Sequence, residues 1–168
     1  MQKKNCLIKT VLLHGKYIIV DFNKKEALLV SLNENLKNAD SSLLAKAAVA
    51  VLVEKKGADI KLYYAGSDNP ITDYYVNATA RSINHVAALS DEISFQISEA
   101  GGPVAKVEGK RGNPWILLDY GDVIVNVFDK DSRAFYNLDR LMPEDGLMDI
   151  SDIVKAVDEK MKINNTEE

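Results

Sequence analysis

The hydrophobic pattern at the start of the chain predicts a β-hairpin. Residues 6–13 and 16–22 form two runs rich in β-branched and aromatic side chains, joined where Gly15 favours a tight turn. The next apolar run, residues 26–37, fits either a strand or a helix, because short apolar runs do not distinguish the two. We treat residues 1–40 as an N-terminal extension that is rich in β-structure.

The pattern then changes to that of a buried helix. Residues 43–56 are apolar on most sides of a helical wheel. Asp40, Ser41 and Ser42 stand just before this run and are each suitable N-caps, because their side-chain oxygens can accept a hydrogen bond from a free backbone N–H. Gly57 stands where a C′ glycine would end the helix.

Two strand patterns and a second helix follow. Residues 59–65 and 73–79 are strand candidates, separated by a loop that contains glycine and proline. Ser82 is suited to cap a helix, and apolar residues after it recur at spacings of three and four: Val86, Leu89, Ile93 and Ile97. Glycines after residue 100 end this helix, and residues 104–107 are a short strand candidate.

The densest β pattern lies between residues 115 and 128 and predicts a hairpin that turns at Gly121, where a positive φ angle is readily adopted. Alternation along the first strand places Trp115, Leu117 and Asp119 on one face and Ile116, Leu118 and Tyr120 on the other. Residues 133–141 are typical of a short helical turn. An apolar stripe predicts a last helix over residues 151–162.

The order of these elements predicts an α/β fold in which helices flank one mixed sheet. We expect three parts in the chain. They are the extension at residues 1–40, a main domain at residues 41–148, and a C-terminal helix with a frayed tail at residues 149–168.

Composition and charge exclude several classes of protein. The single cysteine, Cys6, cannot form an intrachain disulfide, which fits a reducing compartment. The net charge of −4 leaves no global basic footprint of the kind that non-specific nucleic-acid binding needs, and we expect no sequence-specific nucleic-acid binding either. No apolar run is long enough to span a bilayer and no cleavage site marks a signal peptide, so we expect a cytoplasmic protein without membrane contact.

The sequence holds little material for catalysis. Neither His14 nor His85 has a partner at the spacing that a metal site requires, and no serine lies in a nucleophile elbow. The glycines of residues 109–112 lack the spacing of a phosphate-binding loop. We therefore expect no catalytic residue, no bound metal and no cofactor.

Carboxylates near strand ends leave one enzymatic alternative open. Asp73, Asp119 and Asp122 flank predicted strands, and such acids can hold Mg²⁺ for phosphoryl transfer. A nucleotidyltransferase would use two acids that alternate on one strand, and the predicted strands contain no such pair. A charged hairpin mouth in contact with solvent is the simpler interpretation.

Aromatic and acidic residues in the hairpin instead suggest protein binding. Tyrosine and tryptophan are enriched at interface hot spots, because they bury a large area with little loss of entropy. Trp115 and Tyr120 would supply apolar anchors, and Asp119 and Asp122 would meet Lys or Arg on a basic partner.

Four blocks of the chain together resemble the ribosomal silencing factor family, also called the Iojap family. The resemblance covers roughly residues 43–141, and its central block is a long W-x-L-x-D-Y-G-D run that begins at Trp115. The blocks are residues 71–76, 82–93, 107–109 continued by 115–125, and 133–141.

The resemblance implies a fold and a function. Family members have a nucleotidyltransferase-like fold, are not known as nucleotidyltransferases, and bind the large ribosomal subunit through a ribosomal protein at the subunit interface. We therefore expect a non-catalytic translation repressor that blocks joining of the small subunit. The alternatives are a large-subunit assembly factor and a metal-dependent nucleotidyltransferase, and a homodimer is a further expectation.

Eight residues are expected to contact the partner. Besides the two aromatic anchors and the two acids, the set includes a third acid, a strand residue of the hairpin and two rim residues from the last block. The full set is Trp115, Asp119, Tyr120, Asp122, Glu108, Val125, Tyr136 and Arg140. Three single positions depart from the family pattern, which usually has histidine at Asn126, often histidine at Lys106, and usually tryptophan at Met142. The pair at residues 80–81 also replaces a small, glycine-containing turn that is more usual in the family.

Overall fold

A computed structural model describes residues 8–13, 16–21 and 36–164 of the chain. Near the N-terminus, strands β1 (Ile8–Leu13) and β2 (Lys16–Asp21) pair in antiparallel register, with Leu13 opposite Lys16. This confirms the predicted hairpin. Most of the ambiguous run at residues 26–37 lies outside the described residues, and its end belongs to a 3₁₀ turn at Leu36–Asn38.

A six-stranded mixed sheet forms the centre of the fold, as the sequence predicts. Its strand order is β5-β6-β7-β4-β3-β8, in which only β4 and β7 run parallel to each other. The strands are β3 (Ala58–Tyr64), β4 (Tyr74–Thr79), β5 (Lys106–Glu108), β6 (Trp115–Asp119), β7 (Val123–Phe128) and β8 (Leu147–Met148). The edge strand β5 begins two residues later and ends one residue later than the 104–107 strand that the sequence suggested.

Helices pack mainly on one face of this sheet. Helices α1 (Ser41–Glu54) and α2 (Ile83–Glu99) cover β3, β4, β6 and β7, and α4 (Ser151–Asn164) packs on α1. The short helix α3 (Lys130–Tyr136) follows β7 and contacts it. Two further 3₁₀ turns span Leu138–Leu141 and Glu144–Gly146. Among the described residues, no helix has the length and apolar character that crossing a bilayer requires.

The ends of α1 show one error in the sequence prediction. Asp40 is the N-cap, and its carboxylate accepts a hydrogen bond from the Leu43 N–H at 2.7 Å. At the other end Lys56, not Gly57, has the left-handed conformation, with φ of 62°. The Lys56 N–H donates to Val53 and the Gly57 N–H donates to Leu52, which is the Schellman pattern with Lys56 at C′. The predicted C′ position is therefore wrong by one residue.

The core lies between the sheet and the helices α1, α2 and α4. The Ser82 hydroxyl caps α2 by accepting from the His85 N–H at 3.2 Å, and the predicted apolar stripe of α2 is fully buried. On β6, Ile116 and Leu118 point into the core, as the alternation predicted. From the C-terminal helix, Ile153 and Val157 join the same core. This helix therefore packs on the domain instead of standing apart from it.

Candidate functional site

The sheet face opposite α1 and α2 carries a second set of side chains, and we call it the open face. Residues directly opposite on neighbouring strands point to the same side of a sheet. Trp115, Leu117 and Asp119 of β6 lie opposite Phe128, Asn126 and Ile124 of β7, in that order. The register of β4 with β7 adds Tyr75 and Asn77 to this face. Several of these side chains are only half-buried, so the described helices do not form a complete layer over this face.

Three aromatic side chains cluster at one end of the open face, and we call them the aromatic patch: Trp115, Phe135 and Tyr136. The Trp115 ring lies 4.8 Å from the Tyr136 ring, which contacts Phe135 edge-on at 5.1 Å. Trp115 also stacks on the buried ring of Phe128 at 5.0 Å. Phe135 is 82% exposed and Tyr136 is 49% exposed. Large apolar side chains presented together to solvent are typical of a protein-binding surface.

A chain of buried amides holds the indole of Trp115, and we call it the polar relay. The indole N–H donates to Oδ1 of Asn126 at 3.2 Å, Nδ2 of Asn126 donates to Oδ1 of Asn77 at 3.0 Å, and Nδ2 of Asn77 donates to Oδ1 of Asp139 at 3.0 Å. An indole N–H is only a donor and an ionised carboxylate is only an acceptor. The two ends therefore fix the direction of every hydrogen bond between them.

Asp139 collects donors from three elements. Its carboxylate accepts from Nε of Arg133 at 3.0 Å and from the Tyr63 hydroxyl at 3.2 Å, and the Lys61 ammonium lies 3.4 Å away. Burial alone would raise the pKa of Asp139, but the Asn77 hydrogen bond and the Arg133 charge outweigh burial and hold the pKa below its usual value. Burial, reinforced by the Asp139 charge, raises the pKa of Tyr63 to about 12. The carboxylate is thus held ionised.

Arg133 connects this polar cluster to the aromatic patch. Its side chain is buried, its Nη2 lies 2.9 Å from Oδ2 of Asp139, and its guanidinium lies over the Phe128 ring at 5.7 Å from the centroid. Two and three residues further along α3 are Phe135 and Tyr136. The ion pair therefore fixes the helix that presents the two exposed rings.

The two hairpin acids, Asp119 and Asp122, lie at the opposite end of the hairpin from Trp115. Trp115 begins β6 and Asp119 ends it, which separates them by roughly 13 Å at the usual rise of a strand. Oδ1 of Asp119 accepts a hydrogen bond from the Gly121 N–H at 2.8 Å, and Asp122 is exposed. The hairpin therefore carries two separate features, the ring of Trp115 at one end and the two acids at the other.

Two predicted contact residues face the core. Val125 is fully buried, because it alternates with Asn126 on β7 and points towards the helices, so the prediction that it contacts a partner is wrong. Tyr120 packs against the core, and its buried hydroxyl lies near Ser94 but makes no hydrogen bond of good geometry with any residue that the structure describes. Burial raises the pKa of Tyr120 to about 12. Its ring is a core-facing group, not an anchor on the surface.

The remaining predicted contact residues are exposed. Glu108 lies on the edge strand β5 opposite Leu117, so it belongs to the open face, and it forms an ion pair with Lys106 at 3.0 Å. Arg140 is exposed on the 3₁₀ turn that follows α3. The same turn ends at Leu141, which is 75% exposed.

The carboxylates of the nucleotidyltransferase alternative are engaged locally. Oδ2 of Asp73 accepts from the Ser41 hydroxyl at 3.0 Å, and Asp119 accepts from the hairpin backbone. Within the part of the chain that the structure describes, no three histidine, cysteine, aspartate or glutamate side chains gather in a way that could hold a metal ion. These positions give the alternative no support.

The sequence reasoning missed the residues that organise the site. Asn77 and Asn126 each stand between apolar neighbours in a predicted strand, and a polar residue at such a position is a signal for a buried hydrogen-bond partner. Phe135 carried no periodic signal, because its segment is short. Asp139 and Arg133 were seen only as parts of a helical turn.

Comparisons with known proteins agree with this fold. A family model described as "Ribosomal silencing factor during starvation" matches residues 38–168. Ribosomal silencing factor RsfS of Bacillus subtilis is 36% identical over 107 residues, which are 64% of this chain and 91% of that protein.

Two solved structures are similar to the chain. A Chromobacterium violaceum protein has a TM-score of 0.57 at 29% identity, over 61% of this chain and 85% of that one. A Bacillus halodurans protein has a TM-score of 0.55 at 30% identity, over 66% of this chain and 99% of that one. Because the family model matches well over half of the sequence, the resemblance seen in the four sequence blocks is confirmed, and the chain belongs to the ribosomal silencing factor family.

Proposed function

We propose that this protein represses translation without catalysis, by binding the large ribosomal subunit through the open face and blocking the docking of the small subunit. The observation that carries the proposal is the aromatic patch, in which exposed rings of α3 lie beside Trp115 on the sheet face that α1 and α2 do not cover. Membership of the ribosomal silencing factor family supports the choice of partner.

The patch has the properties of a binding hot spot. Trp115 is stacked on Phe128 and hydrogen-bonded to Asn126, so its ring is ordered before a partner arrives. An ordered ring loses little entropy on binding, and the exposed rings of Phe135 and Tyr136 then bury apolar area. These three side chains are the anchors of the proposed interface.

The charge of the chain favours a basic ribosomal protein as the direct contact. The net charge is −4, and Glu108, Asp119 and Asp122 lie on or beside the open face. Acidic groups at the rim of an interface speed encounter with a basic surface and make it sensitive to salt. Arg140 is exposed on the 3₁₀ turn after α3 and would be a contact at the edge of the interface for a polar group of the partner.

Repression in this proposal requires only bulk at the subunit interface. No reaction and no cofactor is involved, and the protein acts in the cytoplasm, where ribosomal subunits join. A homodimer would have to leave the aromatic patch accessible in order to bind.

The proposal is tested by subunit joining in vitro. Purified large subunits are incubated with the protein, small subunits are added, and joined particles are quantified on sucrose gradients. We expect fewer joined particles and co-sedimentation of the protein with large subunits. Unchanged joining without co-sedimentation would contradict the proposal.

Two variants make the test specific to the open face. Phe135→Ala removes an exposed ring of the patch, and Phe95→Ala removes a ring that is 60% exposed on α2, on the opposite side of the sheet. We expect only Phe135→Ala to weaken both binding and repression. If cells lacking the protein accumulate precursor large subunits during rich growth, an assembly role is favoured over repression.

A further inference from the structure

The two halves of the aromatic patch come from distant parts of the chain and meet at one carboxylate. Trp115 belongs to β6, whereas Phe135 and Tyr136 belong to α3. We propose that Asp139 is the positioning residue of the patch: it orients the indole of Trp115 through the polar relay and fixes α3 through Arg133. The inference rests on the proposed function in that it treats the patch as the docking surface.

The connection towards Trp115 is continuous and has one direction. Asn77 and Asn126 are buried, so each of their polar atoms requires a partner within the protein. When Asp139 accepts from Asn77, the Asn77 oxygen is directed at Asn126, and the Asn126 oxygen is directed at the indole. Reversal of either amide would bring two donors or two acceptors face to face. The carboxylate therefore determines where the indole N–H is held.

The connection towards α3 runs through a tight reversal of the chain. Asn137 ends α3 in the left-handed conformation, with φ of 45°, and the chain turns so that Asp139 returns to Arg133. Arg133 is 7% exposed and forms a two-pronged contact with the carboxylate through Nε and Nη2. The bidentate geometry restricts rotation as well as distance. The exposed rings that follow Arg133 are thereby held in place.

A carboxylate is required because every group around it is a donor. Asn77, Tyr63, Lys61 and Arg133 all direct protons at Asp139. An asparagine at this position would direct its own NH₂ group at one of these donors. It would also leave the buried guanidinium with only the exposed carboxylate of Asp59, 3.7 Å away, as a countercharge. Asp139→Asn is consequently a nearly isosteric change that disturbs both connections.

The chain itself provides the probe, because Trp115 is its only tryptophan. Fluorescence emission and acrylamide quenching are measured for the full chain and for three variants. Asp139→Asn removes the charge of the carboxylate at which the polar relay and the Arg133 ion pair meet. Asn77→Ala interrupts the polar relay and leaves the Asp139–Arg133 ion pair in place. The control is Asp131→Asn, which removes an exposed carboxylate of α3. Circular dichroism establishes that each variant is folded.

We expect Asp139→Asn and Asn77→Ala to make Trp115 more accessible to acrylamide, with emission at longer wavelength, while Asp131→Asn stays like the unmodified chain. Affinity for large subunits should fall about threefold to tenfold in the first two variants, as expected when one or two anchor side chains lose their order. Unchanged quenching in folded Asp139→Asn and Asn77→Ala would overturn the proposal. Loss of the fold in both would also overturn it, since the relay would then serve stability alone.

The fluorescence result does not depend on the ribosome. If the unmodified chain fails to bind large subunits, the proposed function fails, yet the quenching of Trp115 still decides whether Asp139 positions the indole. If the unmodified chain binds and the relay variants bind equally well, the proposed function stands and the positioning role fails.

Discussion

The indole N–H of Trp115 donates a hydrogen bond to Oδ1 of Asn126 at 3.2 Å, across the two strands of the hairpin. The bond links a half-buried ring on the open face to an amide that is buried inside the sheet. The hydrogen bond makes the orientation of Trp115 dependent on residues far along the chain.

Removing the ring should weaken binding without unfolding the chain. Trp115→Ala removes an anchor of the patch, so we expect affinity for the large subunit to fall by about 2 kcal/mol or more, roughly thirtyfold in Kd. Trp115 lies on the open face and not in the core between sheet and helices, so the secondary structure should persist. Co-sedimentation gives the affinity and circular dichroism checks the fold. A folded variant that binds normally would remove Trp115 from the interface.

Asn126→Phe and Asn126→His separate the packing of this position from its hydrogen bonds. Neutral imidazole has one donor and one acceptor, so a histidine here can accept from Trp115 and donate to Asn77, whereas phenylalanine can do neither. Protonated imidazole has two donors and would oppose the indole N–H. We expect Asn126→Phe to lose about 1–3 kcal/mol of stability at every pH, because it leaves Asn77 unsatisfied.

The Asn126→His variant should acquire an additional pH dependence of stability from the new imidazole. The fold favours neutral imidazole, so the folded pKa lies below the unfolded value of about 6.5. The stabilisation from the imidazole hydrogen bonds is then complete above the unfolded pKa and is lost as pH falls through the folded pKa. Urea unfolding at several pH values between about 8 and 5 measures how steeply the free energy of unfolding changes with pH. Equal slopes for the variant and the unmodified chain would show that the ring does not join the relay.

Alternation along the strands made much of the fold predictable. The hairpin turn at Gly121 and the core-facing pair Ile116 and Leu118 followed from period two, because one face of a covered sheet must be apolar. The C-terminal limit of α1 was missed because glycine is favoured in the left-handed region, yet Lys56 occupies it here. The hydrogen bonds of the Schellman motif offset the cost of that conformation.

The site was less predictable, because it depends on contacts between distant segments. The alternation along β6 correctly predicted that Trp115 and Asp119 point to the same face of the sheet. They nevertheless lie at opposite ends of the strand, so they cannot form one contact site. The partners of Asp139 come from β3, β4 and α3, and no local pattern indicates which of them meet. Val125 was included as part of the hairpin, although its alternation with Asn126 already directs it to the core.

Acid should destabilise the protein in part through Asp139. Although burial opposes ionisation, the Asn77 hydrogen bond and the Arg133 charge hold the pKa of Asp139 below its usual value. The unfolded chain thus takes up this proton at a higher pH than the folded chain. The stabilisation of the fold by ionised Asp139 is complete above the unfolded pKa of about 4 and is lost as pH falls through the folded pKa.

Asp139→Asn removes this titration, so its free energy of unfolding should fall less steeply than that of the unmodified chain below about pH 4. The comparison uses urea unfolding with Asp131→Asn as the control, since that carboxylate is exposed. Parallel curves for Asp139→Asn and the unmodified chain would show that Asp139 is not preferentially ionised in the fold.

High pH should destabilise the fold through ionisation of Tyr120, and the fold should tolerate removal of the Tyr120 hydroxyl. Burial raises the pKa of Tyr120 to about 12, whereas the unfolded chain ionises near the ordinary value of about 10. The neutral hydroxyl therefore contributes stability that is complete below about pH 10 and is lost as pH rises towards 12. Tyr120→Phe removes this loss and a buried hydroxyl without a good hydrogen bond, so at neutral pH we expect unchanged stability or a gain of up to about 1 kcal/mol.

Tyr63→Phe is the matched comparison, because burial and the Asp139 charge raise the pKa of Tyr63 to about 12 as well, but its hydroxyl donates to Asp139 at 3.2 Å. That variant should lose stability at neutral pH, since the partly buried carboxylate of Asp139 then lacks one donor. Thermal unfolding at neutral pH and at about pH 11 separates the two tyrosines. A Tyr120→Phe chain that is much less stable at neutral pH would mean that the hydroxyl has a strong partner in solution, and its assignment as an unsatisfied core-facing group would be wrong.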